Sequence, residues 1–298
     1  SLYLFEAFLN YQKNKNSNLE LKKKLFLKKE NKVYDERTTE EYYRYMSSKN
    51  KNVSVAFYPN YFLRENSIFQ PLSGVSNSLT IICNENGYIS TYLSDRFGFN
   101  NPDEEWDKKE IEYLVVGDSF AHGACVNRPN DISSVLRNLS NKSVLNLGIS
   151  GNGPLIEYAT LREYLNNNVK KVLWVYFDGN DFSDLNIEKE NNILINYLND
   201  LNFTQNLKLK QNEINDIVQN ITKKKEIGRN IFKFELIRFI KIYNTRTSIF
   251  SLPEPEMPKS EFKKILQLVK ELTDKNDTKL FFVYLPEYSY YKSNYGNK

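Results

Sequence analysis

Three short stretches of this 298-residue chain carry residue types suited to acyl transfer: Gly117-Asp118-Ser119, Gly148-Ile149-Ser150-Gly151-Asn152-Gly153 and Asp178-Gly179-Asn180-Asp181. A serine hydroxyl becomes a nucleophile when a base takes its proton. Glycine-rich backbone offers unhindered N–H groups, and an asparagine side chain adds an amide donor. Such donors together hold the oxyanion of a tetrahedral intermediate. Three residues after Ser119 stands His122, the only histidine in the chain. If the residues after Ser119 are helical, position i+3 shares a face with i, and the ring tilts back toward the N-terminus. His122 is therefore a candidate base, with Asp181 as an orienting carboxylate. It would rise from the nucleophile's own turn, which leaves little freedom to place a nitrogen at the ~2.6–3.2 Å a base needs. The alternative is a polar pocket-wall residue below the nucleophile. Asp118 reads as the organiser of the turn before Ser119, and Asp181 as the residue that fixes the Asn180 loop. Cys125 reads as a small core residue.

All three stretches stand where strands should end. "IEYLVVGD" (111–118), "SVLNLGI" (143–149) and "KKVLWVYFDGND" (170–181) are aliphatic runs, the last nearly continuous, as a strand covered on both faces requires. Between them, Asp131 near a helix start and Pro154 in a first turn mark two helices. "KSEFKKILQLVKELTD" and "TKLFFVYLPE" add a further helix and a fourth strand. Alternating strand and helix at this spacing predicts an α/β fold with a parallel sheet and helices on both faces. Ligands bind such sheets beyond the carboxyl ends of the strands, so the three stretches should share one rim.

Gly-Asp-Ser, a glycine in "NLGISGNG" and Gly-Asn-Asp, in this order and each ending a predicted strand, resemble the SGNH (GDSL-type) hydrolases. The resemblance covers about residues 111–185 and, less specifically, 259–286. It implies a flavodoxin-like sheet and an esterase, lipase, deacetylase or O-acyltransferase activity through an acyl-serine. It implies Ser119 as nucleophile, Gly151 as an N–H donor to the oxyanion with Gly148 as fallback, and Asn180 as the amide donor. The Ser119 N–H would be a third donor. The substrate it implies is a small-molecule or carbohydrate ester, O-acetyl or O-acyl, with no cofactor and no metal. The family's base is a histidine in an Asp-x-x-His segment after a fifth strand, and no Asp-x-x-His occurs here. With Ser1 in place of a starting Met, the expectation is a chain cut short at both ends, enzymatic at full length and inactive as given. The alternative is an inactive SGNH-like binding or scaffold protein that lacks the base.

The rest of the chain divides by texture. Residues 1–50 read as a helical or linker segment. Its apolar start, "SLYLFEAFL", is either an amphipathic helix or the tail of a signal or membrane anchor lying N-terminal to residue 1. Residues 51–110 read as a β-rich extension, with a hairpin around Asn84-Glu85-Asn86-Gly87. Residues 111–298 form the α/β domain, with a helical insertion at about 186–250 and its C-terminal part missing. Within the insertion, "RNIFKFELIRFIKIY" is either a helix over the sheet rim or a membrane-surface helix. Basic and acidic residues nearly balance, 41 against 37, so charge gives no case for nucleic acid. "GISGNGP" lacks the spacing of a nucleotide loop. Cys83 and Cys125 sit in no metal-binding pattern. They are either one disulfide or two free thiols. The apolar start and a possible disulfide lean toward an extracytoplasmic or membrane-anchored location.

Overall fold

A computed structural model describes residues 2–16, 19–64, 68–85, 87–228, 245, 258–288 and 291 of the chain. Seven strands are described: β1 (Val53–Val55), β2 (Leu79–Cys83), β3 (Ser90–Leu93), β4 (Ile111–Gly117), β5 (Val144–Asn146), β6 (Val169–Phe177) and β7 (Lys279–Leu285). The helices are α1 (Leu2–Asn16), α2 (Leu19–Glu30), α3 (Thr39–Ser47), α4 (Ser119–His122), α5 (Ile132–Ser140), α6 (Pro154–Tyr164), α7 (Asp181–Glu188), α8 (Asn192–Asn199), α9 (Gln211–Gly228) and α10 (Lys259–Lys275).

β4 to β7 are the four aliphatic runs, and they form one parallel sheet in the order β5-β4-β6-β7. The chain lays down β4, steps to one side for β5, then crosses back for β6 and β7. This is the flavodoxin-like order, and its switch point lies between β4 and β6. Alternation along the strands divides the core. Leu114, Val116, Val172 and Trp174 pack with α6 and α10 on one face, in a cluster that includes Leu155, Ala159, Ile265 and Val269. Val115 and Val175 pack with Ala121 of α4 and Leu136 of α5 on the other. Asp131 caps α5 through the Ser134 N–H, and Pro154 opens α6. β7 carries Phe281, Phe282, Val283 and Tyr284 with over a third of each exposed.

The extension is a second, three-stranded sheet in the order β1-β2-β3. The hairpin pairs β2 with β3 antiparallel, while β1 adds a parallel strand that the hairpin reading did not include. Cys83 and Cys125 are joined in a disulfide, their Cα atoms 5.3 Å apart. It ties β2 to the loop that follows α4. The helical insertion begins directly after β6 with α7 and continues through α8 and α9. Residues 229–244, which hold "RNIFKFELIRFIKIY", lie outside the described residues. The apolar start forms α1, with Leu2, Leu4 and Phe8 more than half exposed. No helix among the described residues is long and apolar enough to cross a membrane.

Candidate active site

The ends of β4, β5 and β6 bring the three stretches to one rim. β4 stops at Gly117, Asp118 caps α4 through the Phe120 N–H at 3.0 Å, and Ser119 becomes the first helical residue. After β5 the chain turns through Gly148–Gly153 into α6. After β6 it turns through Asp178 and Gly179 to Asn180, which begins α7. Ser119, Gly151 and Asn180 are all partly exposed, whereas Asp118, His122, Asn146, Asn152 and Asp181 beneath them are buried. These three residues therefore face solvent over a buried polar foundation.

Asp118 links two of the three. Its carboxylate accepts the Ser119 hydroxyl at 3.1 Å, and the Ser119 N–H and Asn180 amide also lower its pKa by hydrogen bonding. Burial outweighs these donors and pushes the carboxyl above the usual carboxylate range. Asn180 Nδ2 also donates to Asp184 Oδ2 at 2.6 Å, which fixes the direction of the amide. A substrate oxyanion at this rim would take over donors that Asp118 now holds.

The glycine loop is set by close packing. A Cβ on Gly148 would lie 2.5 Å from Ala121 Cβ and 2.6 Å from His122 N, so only glycine lets this loop touch α4. The Gly148 N–H is spent on Asn146 Oδ1 at 2.8 Å. That removes Gly148 as an oxyanion donor and leaves Gly151. Gly151 has φ +78°, a Cβ added to it would lie 2.8 Å from Asn60 Nδ2, and its N–H has no acceptor among the described residues.

His122 does not serve Ser119. Its Nδ1 accepts the Ser150 N–H at 3.2 Å and lies 2.9 Å from Ser150 Oγ, while Nε2 lies 3.2 Å from the Tyr92 hydroxyl. A backbone N–H can only donate, so Nδ1 is the acceptor and Nε2 carries the proton toward Tyr92. Burial drives the imidazole down to about 4. The ring is a neutral brace that pins the residue before Gly151 to α4. Asp181 does not orient it. Its Oδ2 accepts the Phe177 N–H at 2.8 Å and closes the turn between β6 and α7.

Several supports carry no motif. Glu188, at the end of α7, accepts N–H groups of Gly153, Leu155 and Ile156 and caps α6 from outside. This locks the Asn180 helix to the glycine loop. Burial raises Glu188 to about 8 and Asp184 to about 6. Asp181 and Glu157 are raised as well, by burial first and then by neighbouring carboxyls, Asp118 for Asp181 and Asp181 for Glu157. From the extension, Asn101 exchanges two hydrogen bonds with the Asn146 backbone, at 2.7 and 2.9 Å. Asn146 then donates to Ala121 O at 2.7 Å, and Asn100 donates to His122 O at 3.0 Å. Asp95, buried and raised to about 6 by desolvation, gathers Asn101, Trp106 and the N–H groups of Phe97 and Phe99. Of these, Asn146 alone could be suspected in sequence, as a polar residue amid the hydrophobic run "SVLNLGI".

No protein-family model matches the chain, and neither a curated protein nor a solved structure matches it.

Proposed function

We propose that this chain carries the nucleophile and oxyanion donors of an SGNH-type serine esterase or O-acyltransferase. Ser119 Oγ attacks the carbonyl carbon of an ester, and the Gly151 N–H and Asn180 amide hold the oxyanion. Collapse expels the alcohol and leaves an acyl-serine, which water or a sugar hydroxyl then takes up. The observation that carries this reading is the convergence at the switch point. A half-buried serine, a glycine N–H without an acceptor among the described residues and an asparagine amide follow three adjacent parallel strands. The substrate class is an O-acylated carbohydrate or another small ester. The disulfide favours an oxidising, extracytoplasmic location.

One observation favours the second reading, an inactive binding or scaffold protein. The only histidine is committed to Ser150 and Tyr92, and the proton acceptor in contact with Ser119 is Asp118. A triad base contributes several powers of ten to turnover, so the separating assay reads a single slow adduct rather than turnover. Labelling by a fluorophosphonate separates the two readings. The hydrolase reading expects adduct on Ser119, abolished in Ser119→Ala and retained in His122→Gln. No adduct on the folded protein supports the scaffold.

A further inference from the structure

The first two turns of α1 have their polarity reversed. Leu4 and Phe8, four residues apart, stand one turn above the other and are 72% and 51% exposed. Glu6 lies two residues from each and so projects from the opposite side of the helix. There it is fully buried and accepts the Thr245 N–H at 2.7 Å and the Thr245 hydroxyl at 2.8 Å. Leu2, Tyr3 and Phe5 flank the outer side, each more than two-fifths exposed. The one carboxylate of these turns is held inside, and the large apolar side chains are outside. A helix on an aqueous surface has the reverse arrangement. α2 follows after two residues and is basic, with five lysines against two glutamates. Lys23 pairs with Glu20 and Glu36, and Lys29 with Glu30. Lys24 and Lys28 are exposed and form no ion pair among the described residues. Leu25 and Leu27, each more than half exposed, stand between them.

We propose that α1 and α2 form a docking surface for an anionic lipid bilayer. Leu4, Phe8 and their flanking side chains enter the boundary between headgroups and acyl chains, and the α2 lysines meet the headgroup phosphates. Charge and area together select this occupant. Ammonium groups without acidic partners, next in the chain to an exposed apolar face, favour an anionic surface. Their alkyl stems can lie along Leu25 and Leu27 while the charged ends stay in the polar layer. A second copy of this chain fits poorly. The outer side of two helical turns offers roughly a few hundred Å², below the ~800 Å² that each partner of a standard interface buries. Two copies of α2 would also set lysines against lysines. A bilayer sets no such minimum, since a helix in its surface need bury only its apolar face. The surface stands whether or not Ser119 is a nucleophile.

Flotation of the full chain with vesicles tests this, using phosphatidylcholine alone and phosphatidylcholine with one-quarter phosphatidylglycerol. The expected result is binding to the anionic vesicles, weakened when NaCl is raised from about 0.1 M to about 0.5 M. Leu4→Ser and Phe8→Ser should each lower the affinity about tenfold, and Lys24→Glu with Lys28→Glu by a similar factor. Leu139→Ser removes an equally exposed leucine from α5 and should change nothing. All the substituted side chains are exposed, so the variants should keep the fold, which circular dichroism checks. The proposal is overturned if the chain does not float with the anionic vesicles, if it binds both kinds equally, or if the α1 variants bind like the wild type. It is overturned equally if sedimentation without vesicles shows a dimer that Leu4→Ser and Phe8→Ser dissociate, because a second copy then covers the face.

Discussion

His122→Gln should flatten the acid limb of the stability curve while sparing the site. In the unfolded chain the imidazole titrates near ~6.5. In the fold burial holds it at about 4, with both nitrogens occupied. A pKa lowered by folding contributes stability that is present above the unfolded value and lost as pH falls toward the folded one. The window is therefore from about 6.5 down to about 4. A gap of roughly 2.5 pH units at about 1.4 kcal/mol each gives about 3.5 kcal/mol in full, of which about 3 kcal/mol is lost by pH 4. That is a large share of the ~5–15 kcal/mol of an ordinary domain. Glutamine keeps an acceptor for Ser150 and a donor for Tyr92 but does not titrate. Urea unfolding at steps between pH 7.5 and pH 4 measures the effect. Burial-raised carboxyls such as Glu188 act in the opposite direction over part of this range, so the quantity to read is wild type minus variant. The difference should shift against the wild type by about 3 kcal/mol as pH falls. Parallel curves would show that the ring is not held neutral. Loss of Ser119 labelling in a variant that stays folded would refute the brace and restore His122 as base.

Asp181→Asn tests the carboxyl cluster, with the opposite sign. A carboxyl raised by folding contributes stability below its unfolded pKa and loses it as pH rises, so the variant should gain on the wild type by up to about 1.4 kcal/mol per pH unit from pH 5 to pH 8 in thermal melts. Equal slopes would contradict the burial argument. Gly148→Ala puts a methyl 2.5 Å from Ala121 Cβ. It should cost about 1–3 kcal/mol and abolish Ser119 labelling, and wild-type labelling would mean the loop does not rest on α4. Replacing Cys83 and Cys125 by serine opens a loop of 42 residues. Loop entropy puts the loss at about 4 kcal/mol, and the variant's melting temperature should no longer respond to reductant.

The sheet was legible because each of its strands carries a short run of aliphatic or aromatic residues bounded by turn residues. The rim was legible because Gly-Asp-Ser, the glycine run and Gly-Asn-Asp sit at the ends of those runs. The Asp131 cap and Pro154 were legible because helix termini select residue types locally. What escaped has no local signature. Glu188 reaches Gly153 across 35 residues, and Asn101 reaches Asn146 across 45. Neither contact follows a period of two or of 3.6 residues, since a single buried hydrogen bond asks only for a polar atom in the right place. The cysteine pair remained open for the same reason: spacing in the chain does not fix the distance between Cα atoms. His122 shows the converse. Its position three residues after Ser119 suggested a catalytic pair, but the closed turn aims the ring away, toward Ser150 and Tyr92.

The direction of that ring also explains what the extension is for. Among the described residues, five of the hydrogen bonds that pass from residues 92–105 into the α/β domain end on β5 or on α4. Asn101 makes two with Asn146, Asn100 reaches His122 O, Tyr92 meets the His122 ring, and Glu105 accepts the Val144 N–H. These are the two elements that carry the glycine loop and Ser119. A buried polar group left without its partner costs about 1–3 kcal/mol, so the five together are comparable with the stability of a whole domain. β4 and β6 are paired on both sides within the sheet, whereas β5 is an edge strand of three residues. So short an edge cannot hold the glycine loop by its own ladder. The extension supplies the missing side with asparagine amides instead of another strand, and its Asn60 packs against Gly151.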